Sequence, residues 1–268
     1  MLTCAVAGGI VTGNPNQPAT RDQVIEQAVA AARAGASIVH IHARTTGGEM
    51  TQAPEDYEAI KWSVREQADV VLSFTTGGKL GSPAEERRRS LLAAPEVASL
   101  NCGSLNFGPD DLVFLNPKSL IEELAEEMAE LGIVPEYECF DMGMAVTAAR
   151  LAQTARGAPG FMHMVLGVIG GAPPTVESAQ LFARLVPEGL PWMVTAIGRH
   201  NFPIMAATLA LGGHVRTGLE DVVYVAPGQY AESNAQLVTR AKTLCEAIDA
   251  QVVAHFMPEG AIKVSIVG

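Results

Sequence analysis

Short apolar runs rich in β-branched residues alternate along the chain with stretches whose apolar positions recur with helical periodicity. This alternation predicts parallel β-strands that are connected by crossover helices. We predict eight strands, at residues 2–7, 37–43, 70–75, 97–102, 134–140, 161–166, 192–197 and 214–219. The predicted helices span residues 21–34, 54–67, 83–93, 117–131, 142–155, 175–185, 201–211 and 231–250.

Residues at the helix ends agree with these boundaries. Thr20, Ser82 and Thr175 are predicted N-caps, and Gly35 and Gly132 follow helices where a left-handed residue is favoured. Eight strand–helix units without a linker predict a single α/β domain over residues 1–268, a closed (β/α)8 TIM barrel. An open doubly wound sheet of eight strands is the alternative fold.

Composition narrows the range of partners. Hydrophobic residues make up 48% of the chain and aromatic residues 5%, which suits helices packed on buried parallel strands. The formal net charge of -11, without a run of basic residues, argues against nucleic acid. We also expect no membrane span and no targeting leader, and therefore a cytoplasmic protein. The four cysteines are scattered and are predicted to be core thiols.

The second predicted strand carries two histidines on one face. His40 and His42 are two residues apart, so both imidazoles can reach one ion. In the eighth unit, Arg216 and Glu220 alternate on the inward face, and Asp221 follows. His40, His42 and Glu220 thus form a candidate metal site with open coordination positions. Hydrogen-bonded core histidines and a structural Arg–Glu ion pair are the alternatives.

Further polar residues lie near other strand ends. Glu136 and Glu138 share a face of the fifth strand, where burial and mutual repulsion favour a general base or acid, although one of the two can be structural. The remaining candidates for binding a substrate carboxylate are Thr75, Thr76, Gly77, Gly78, Ser99 and Asn101. His214 is expected in the core, and the cases for His163, His200 and His255 are weaker.

Six segments together resemble the β-keto acid cleavage enzymes, a bacterial family, over almost the full length of the chain. They are A-G-A-S-I-V-H-I-H-A-R at 34–44, T-T-G-G at 75–78, A-S-L-N-C-G-S-L-N-F-G at 98–108, P-E-Y-E-C-F-D-M-G at 135–143, G-G-H-V-R-T-G-L-E-D at 212–221 and A-E-S-N-A-Q-L-V at 231–238. The resemblance implies a zinc barrel that condenses a 3-keto acid with acetyl-CoA and splits the adduct to acetoacetate and a new acyl-CoA.

The resemblance also implies roles for individual residues. The metal ligands of the family fall on His40, His42 and Glu220, which agrees with the choice made from the residues alone. Proton abstraction falls on Asp221 with Arg216 and Glu138. Contacts with the substrate carboxylate fall on Thr75, Ser99 and Asn101, and we add Thr76, Gly77 and Glu136 as substrate-binding candidates.

The loop after the first strand, G-G-I-V-T-G-N-P-N-Q-P, contains no acidic residue that could pair with the ammonium group of an amine-bearing substrate. We therefore expect an uncharged or polar substrate tail near Ile10 and Thr12. The candidate cations for binding the phosphates of CoA are Arg44, Lys79 and the arginines at 87–89. The arginine run is, however, better explained as a solvated helix face. The glycine-rich loop before the sixth helix is another candidate.

Three other functions fit parts of the pattern. A zinc-dependent aldolase shares the chemistry of a stabilised enolate, and a metal-dependent hydrolase often has H-x-H at a strand end, usually on the first strand. A metabolite-binding barrel without catalysis needs fewer buried acids than this chain has. We expect a homo-oligomer, a dimer or tetramer, because barrels of this kind often associate through their apolar helices.

Overall fold

A closed barrel of eight parallel strands forms the centre of the computed structural model, which describes residues 1–79, 81–107, 112–154 and 160–252. The barrel strands are β1 (Leu2–Ala5), β2 (Ile38–Ile41), β3 (Val71–Phe74), β4 (Val97–Asn101), β5 (Val134–Cys139), β6 (Phe161–Leu166), β7 (Trp192–Ala196) and β8 (His214–Thr217). Each strand pairs with its neighbours in the chain, and β8 pairs with β1. The predicted TIM barrel is confirmed and the open sheet is excluded.

Helices follow the strands around the outside. Those in the described residues are α1 (Arg21–Ala34), α2 (Pro54–Arg65), α3 (Ala84–Arg87), α4 (Lys118–Glu130), α5 (Met142–Gln153), α6 (Val176–Leu185), α7 (Asn201–Ala210) and α8 (Asn234–Glu246). Thr20 caps α1 through a reciprocal bond with Gln23, and Gly35 ends it with φ 113°. Thr175 caps α6, as predicted. The last helix begins later than predicted, because Ser233 is its N-cap.

The third helix differs most from its prediction. Only residues 84–87 are α-helical, and Arg88–Ala93 forms a 3-10 helix. Ser82 is not the N-cap, because Pro83 occupies that position without a side-chain cap. Arg87 Nε donates to Thr76 O at 2.8 Å, and Ser90 Oγ donates to Thr75 O at 2.8 Å. These bonds connect the segment to the loop after β3.

Apolar side chains fill the amino end of the barrel. The cluster consists of Ile38, Val97, Val134, Phe161 and Met193, one from each of five strands. Larger apolar clusters lie between the strands and the helices. His214 lies at this amino end, with Nδ1 2.9 Å from the backbone nitrogen of Met1. The acids Glu138, Glu220 and Asp221 lie instead towards the carboxyl ends of their strands.

Two antiparallel hairpins, which the sequence analysis did not predict, lie in connections that follow barrel strands. Leu105–Asn106 pairs with Val113–Phe114 after β4, and Tyr224–Ala226 pairs with Gln229–Tyr230 after β8. The rings of Tyr224 and Tyr230 stack at 4.9 Å. The first hairpin brings Phe107 and Phe114 to the barrel mouth, where both side chains line a cavity.

Other predictions concern the cysteines and the surroundings of the protein. All four cysteines are free and buried, as expected for core thiols. Across the described residues, no helix has the length and apolar character that crossing a bilayer requires. A cytoplasmic location and a dimeric or tetrameric state stay predictions. His255 lies outside the described residues.

Candidate active site

The three candidate metal ligands come from the carboxyl ends of two strands that flank β1. His40 lies on β2, and His42 follows directly after that strand. The eighth strand ends at Thr217, two residues before its predicted end, because Gly218 has φ 141° and a Cβ there would overlap Ala5 O. The backbone N–H of Glu220 then donates to Ala5 O at 3.2 Å. The turn, and not strand alternation, directs Glu220 inward.

These three side chains converge on one point. One ligand atom from each of His40, His42 and Glu220 lies within 4.8 Å of the other two. His42 Nε2 is 3.8 Å from Glu220 Oε1. Gly8 leaves room for the carboxylate, because an added Cβ would lie 2.7 Å from Glu220 Cγ. The role of Gly8 was not predicted from the sequence.

A chain of hydrogen bonds fixes the Nδ1 side of the His40 imidazole. His40 Nδ1 lies 3.0 Å from Ser73 Oγ, and Ser73 Oγ donates to Glu136 Oε2 at 3.2 Å. His163 Nδ1 lies 2.7 Å from Glu136 Oε1. Because the only hydroxyl proton of Ser73 is given to Glu136, Ser73 Oγ must accept the Nδ1–H of His40. The Nε2 lone pair of His40 is then free for a cation.

Arg216 links the metal candidates to the other acids. Its Nε donates to Asp221 Oδ2 at 2.9 Å, and its Nη2 donates to Asp221 Oδ1 at 3.0 Å and to Glu220 Oε1 at 2.6 Å. Nη1 lies 3.8 Å from Glu138 Oε1 and 4.0 Å from Glu136 Oε1. One buried guanidinium therefore lies close to four carboxylates. A further positive charge nearby would stabilise the ionised form of these acids.

Burial sets the ionisation of these groups. Burial lowers the pKa of His40 to about 3, helped by the charge of Arg216, and lowers the pKa of His42 well below its usual value. Burial raises the pKa of Glu220 to about 8 against the opposing charge of Arg216. Burial by itself raises the pKa of Glu136, but the hydrogen bond from His163 and the charge of His163 lower it to about 2. Burial raises the pKa of Glu138.

This donor set fits a divalent cation. Two neutral imidazoles and one carboxylate are typical of zinc sites that keep a position open for water or a substrate oxygen. Oε2 of Glu220 is buried and has no hydrogen-bond partner in the described part of the chain. A cation beside it would compensate that unpaired oxygen and favour the ionised carboxylate.

A second group of possible ligands lies close by. Glu136, Glu138 and His163 also bring ligand atoms within 4.8 Å of one another. Arg216 already supplies positive charge to both carboxylates, and Glu136 is bonded to His163 and Ser73. This group is therefore better explained as the support of the first site than as a second cation site.

A cavity of about 470 Å³ opens above the candidate ligands. Of the predicted substrate-binding residues, Thr75, Gly77 and Asn101 line it. Thr76 and Ser99 instead bond to each other, with Thr76 Oγ1 donating to Ser99 O at 2.6 Å and Thr76 N donating to Ser99 Oγ at 3.2 Å. Glu136 lies behind Ser73, outside the cavity wall. Substrate contacts stay predictions for all six predicted residues.

The candidate cations for CoA have mostly structural partners. Arg44 Nη2 donates to Gly8 O at 2.6 Å, and Arg87 is 4% exposed and bonds Thr76 O, Leu115 O and Asn116. The prediction of a solvated helix face is wrong for Arg87. Arg88 pairs with acids of α3 and α4. Lys79 and Arg89 are exposed.

Comparison with known proteins identifies the family. The model of the family described as beta-keto acid cleavage enzyme matches residues 1–256, and the chain belongs to this family. It is 36% identical over 250 residues, 92% of this chain and 91% of the relative, to the 3-keto-5-aminohexanoate cleavage enzyme of Acetoanaerobium sticklandii. The predicted family and the prediction of an enzyme are thereby confirmed.

Two further similarities concern a second relative and a solved structure. In an alignment of 277 positions that covers 94% of this chain and 92% of the relative, the chain is 34% identical to the 3-dehydrocarnitine:acetyl-CoA trimethylamine transferase of Rhizobium meliloti. It resembles the structure of a ternary complex of ObcA with a C4-CoA adduct and oxalate, with a TM-score of 0.73 and 20% identity over 90% of this chain. The chain covers 66% of the ObcA chain, and this likeness supports the fold alone.

Proposed function

We propose that this protein is a zinc-dependent transferase that moves the acyl group of a 3-keto acid to coenzyme A, with acetyl-CoA as the co-substrate and acetoacetate as the second product. The observation that carries the proposal is the convergence of His40, His42 and Glu220 beside the Arg216–Asp221 pair, at the base of an open cavity. The similarity to acetyl-CoA-dependent relatives supports the choice of co-substrate.

His40, His42 and Glu220 would hold the zinc ion, which when bound supplies a Lewis acid that polarises the 3-oxo group of the substrate. Asp221 is the group that removes a proton from C2 of the keto acid. Arg216 holds both oxygens of Asp221, so the base cannot rotate away from the substrate. Glu138 faces the same cavity and is placed to return a proton later in the reaction.

The bonds and charges balance in two steps. The carbanion at C2 attacks the thioester carbonyl of acetyl-CoA, forms a carbon–carbon bond and expels the CoA thiolate. The thiolate then attacks the former 3-oxo carbon, and the bond between that carbon and C2 breaks. A proton returned to C2 gives acetoacetate, and the remainder of the keto acid leaves as its acyl-CoA. No oxidant or reductant is needed.

The substrate carboxylate is assigned to the side of the cavity formed by β3 and β4. Thr75 Oγ1 accepts the backbone N–H of Gly77 at 2.9 Å, which leaves its hydroxyl proton to donate. Asn101 lines the same side, and its amide can donate through nitrogen. Asn101 also pairs in register with Glu138, so this side of the cavity adjoins the residue that would return the proton.

An amine-bearing substrate is not expected. Ile10 and Thr12 line the cavity from the loop after β1, and no acidic residue occurs in that loop to pair with an ammonium group. A buried cation without a partner would be costly. Cleavage of an amino-substituted 3-keto acid more than about tenfold faster than of uncharged acids would contradict this assignment.

The test is to incubate the zinc-loaded protein with acetyl-CoA and a panel of 3-keto acids and to measure acetoacetate and acyl-CoA. Asp221→Asn should lower acetoacetate formation by about 10²-fold or more, and should also slow deuterium exchange at C2 of the keto acid. Asp56→Asn is the matched control, because Asp56 pairs with Arg21 on the outside. Cleavage that proceeds without CoA would instead indicate an aldolase.

A further inference from the structure

The cavity has two chemically different sides. On one side, the loops after β1 and β3 contribute backbone and small polar groups, from Gly8, Gly9, Thr75, Gly77 and Gly78, together with the exposed side chain of Ile10. The opposite side is an apolar arc. The apolar arc consists of Phe107, Phe114, Phe140, Val165, Val168 and Ile197.

The apolar arc is a continuous and supported surface. Phe107 contacts Phe114 edge-to-face at 6.1 Å between ring centroids and Phe140 at 6.3 Å. Phe140 and Val165 are 6% and 4% exposed, and every arc residue belongs to, or packs against, one core cluster on the same side of the barrel. Such a wall is preformed, so a ligand need not order it on binding.

Charge is confined to the floor of the cavity. Its charged lining groups are the acids Glu138, Glu220 and Asp221, with Arg216. Among the described residues, none on the apolar arc carries a charge or a side-chain hydrogen-bonding group. A charged tail on this wall would lose its hydration without gaining a partner, whereas a hydrocarbon tail would gain from burial.

We propose that the apolar arc, and not the loop with Ile10 and Thr12, binds the tail of the 3-keto acid, and that the tail is an unbranched hydrocarbon chain or an aryl group. This inference rests on the proposed function, because the tail is defined by the keto group at its end. The carboxylate would face Thr75 and Asn101, and the carbons beyond C4 would lie against Phe140, Val165 and Ile197. The products are acetoacetate and a hydrocarbon acyl-CoA.

The apolar methyl and methylene groups of the pantetheine arm of CoA are the competing occupant of the arc. The two occupants predict different kinetics. If the arc binds the keto acid tail, altering it changes the KM for the keto acid and leaves the KM for acetyl-CoA unchanged. If the arc binds pantetheine, the KM for acetyl-CoA changes instead.

The first measurement compares unbranched 3-keto acids of five to eight carbons with 3-oxoadipate and 3-keto-5-aminohexanoate. Each added methylene should raise kcat/KM about fourfold until the cavity is full. The kcat/KM of the two acids with a charged tail should be at least tenfold lower than that of the six-carbon acid with an uncharged tail. A kcat/KM for an acid with a charged tail that equals or exceeds that of the six-carbon acid with an uncharged tail would overturn the inference.

The second measurement uses Val165→Thr, which keeps the shape of the side chain but adds a hydroxyl to the arc. It should raise the KM for the uncharged six-carbon acid several-fold and leave the KM for acetyl-CoA unchanged. Val146→Thr, on the outer face of α5, is the matched control and should change neither constant. A change confined to the KM for acetyl-CoA would refute the assignment to the tail.

Direct binding separates this inference from the proposed function. The Kd of each keto acid for the zinc-loaded protein is measured by calorimetry without CoA. Tighter binding with each methylene, together with a several-fold weaker Kd in Val165→Thr, supports the apolar arc even if no acetoacetate forms with acetyl-CoA. Turnover to acetoacetate together with a Kd that is independent of tail length would support the proposed function and overturn the inference.

Discussion

Ser73 Oγ lies 3.0 Å from Nδ1 of His40, and the two residues are directly opposite each other in the register of β2 and β3. The pair connects the candidate metal site to a buried carboxylate, because Ser73 donates its proton to Glu136. A metal-ligating histidine needs its second nitrogen to be protonated and fixed, and this chain of bonds does both.

Replacing Ser73 should therefore weaken zinc binding without unfolding the barrel. Ser73→Ala leaves His40 Nδ1 without its partner, so the ring can rotate and change tautomer. We expect zinc affinity to fall by about 10- to 100-fold, measured by competition with a chromophoric chelator.

The matched control for this prediction is Ser37→Ala. Ser37 is also buried, and its hydroxyl accepts one hydrogen bond, from the backbone N–H of Leu2. It lies at the amino end of the strands, away from the candidate metal site. This variant should lose a similar amount of stability and keep the zinc affinity of the wild type. Equal zinc affinities in both serine variants would show that Ser73 does not orient His40.

A second prediction concerns the close approach of Gly8 to Glu220. A methyl group at residue 8 would lie 2.7 Å from Glu220 Cγ, closer than packed atoms allow, so Gly8→Ala should push the carboxylate away from His42. Zinc stoichiometry measured after gel filtration should fall well below that of the wild type. Gly47→Ala is the control, since the nearest atom is 3.6 Å from the added Cβ. Full zinc loading of Gly8→Ala would contradict the geometry.

A third prediction separates the charge of Arg216 from its shape. Arg216→Lys retains one positive charge but cannot hold both oxygens of Asp221 and bond Glu220 at once. We expect kcat to fall by about 10²-fold or more, because the base is no longer fixed. Arg65→Lys, at a partly exposed pair with Glu96, should leave kcat unchanged. Activity within threefold of the wild type in Arg216→Lys would rule out a positioning role.

The sequence predicted the barrel and the metal candidates because both depend on periodic patterns. Apolar runs separated by helical stretches specify eight β/α units, and the i, i+2 spacing of His40 and His42 is visible without any structure. The inward direction of Glu220 was predicted for the wrong reason. The alternation of a strand was assumed, whereas the strand ends before Gly218 and a turn directs the carboxylate.

Other features depend on register and on loops, which single-sequence patterns do not specify. Ser73 became important only because β3 pairs with β2 so that it faces His40. The apolar arc needs Phe107 and Phe140, from separate strand-to-helix connections, to meet edge-to-face. Arg87 looked like part of a solvated helix face, but its bonds to the loop after β3 bury it.

Two imidazoles and one carboxylate, from His40, His42 and Glu220, are expected to bind one catalytic cation. The most direct measurement is the zinc content per chain, after loading and gel filtration, of the wild type and of a variant with His40, His42 and Glu220 all replaced by alanine. We predict one zinc per wild-type chain and none in the variant, with far-ultraviolet circular dichroism showing that both are folded. An unchanged zinc content in the triple variant would show that these three residues do not bind the ion.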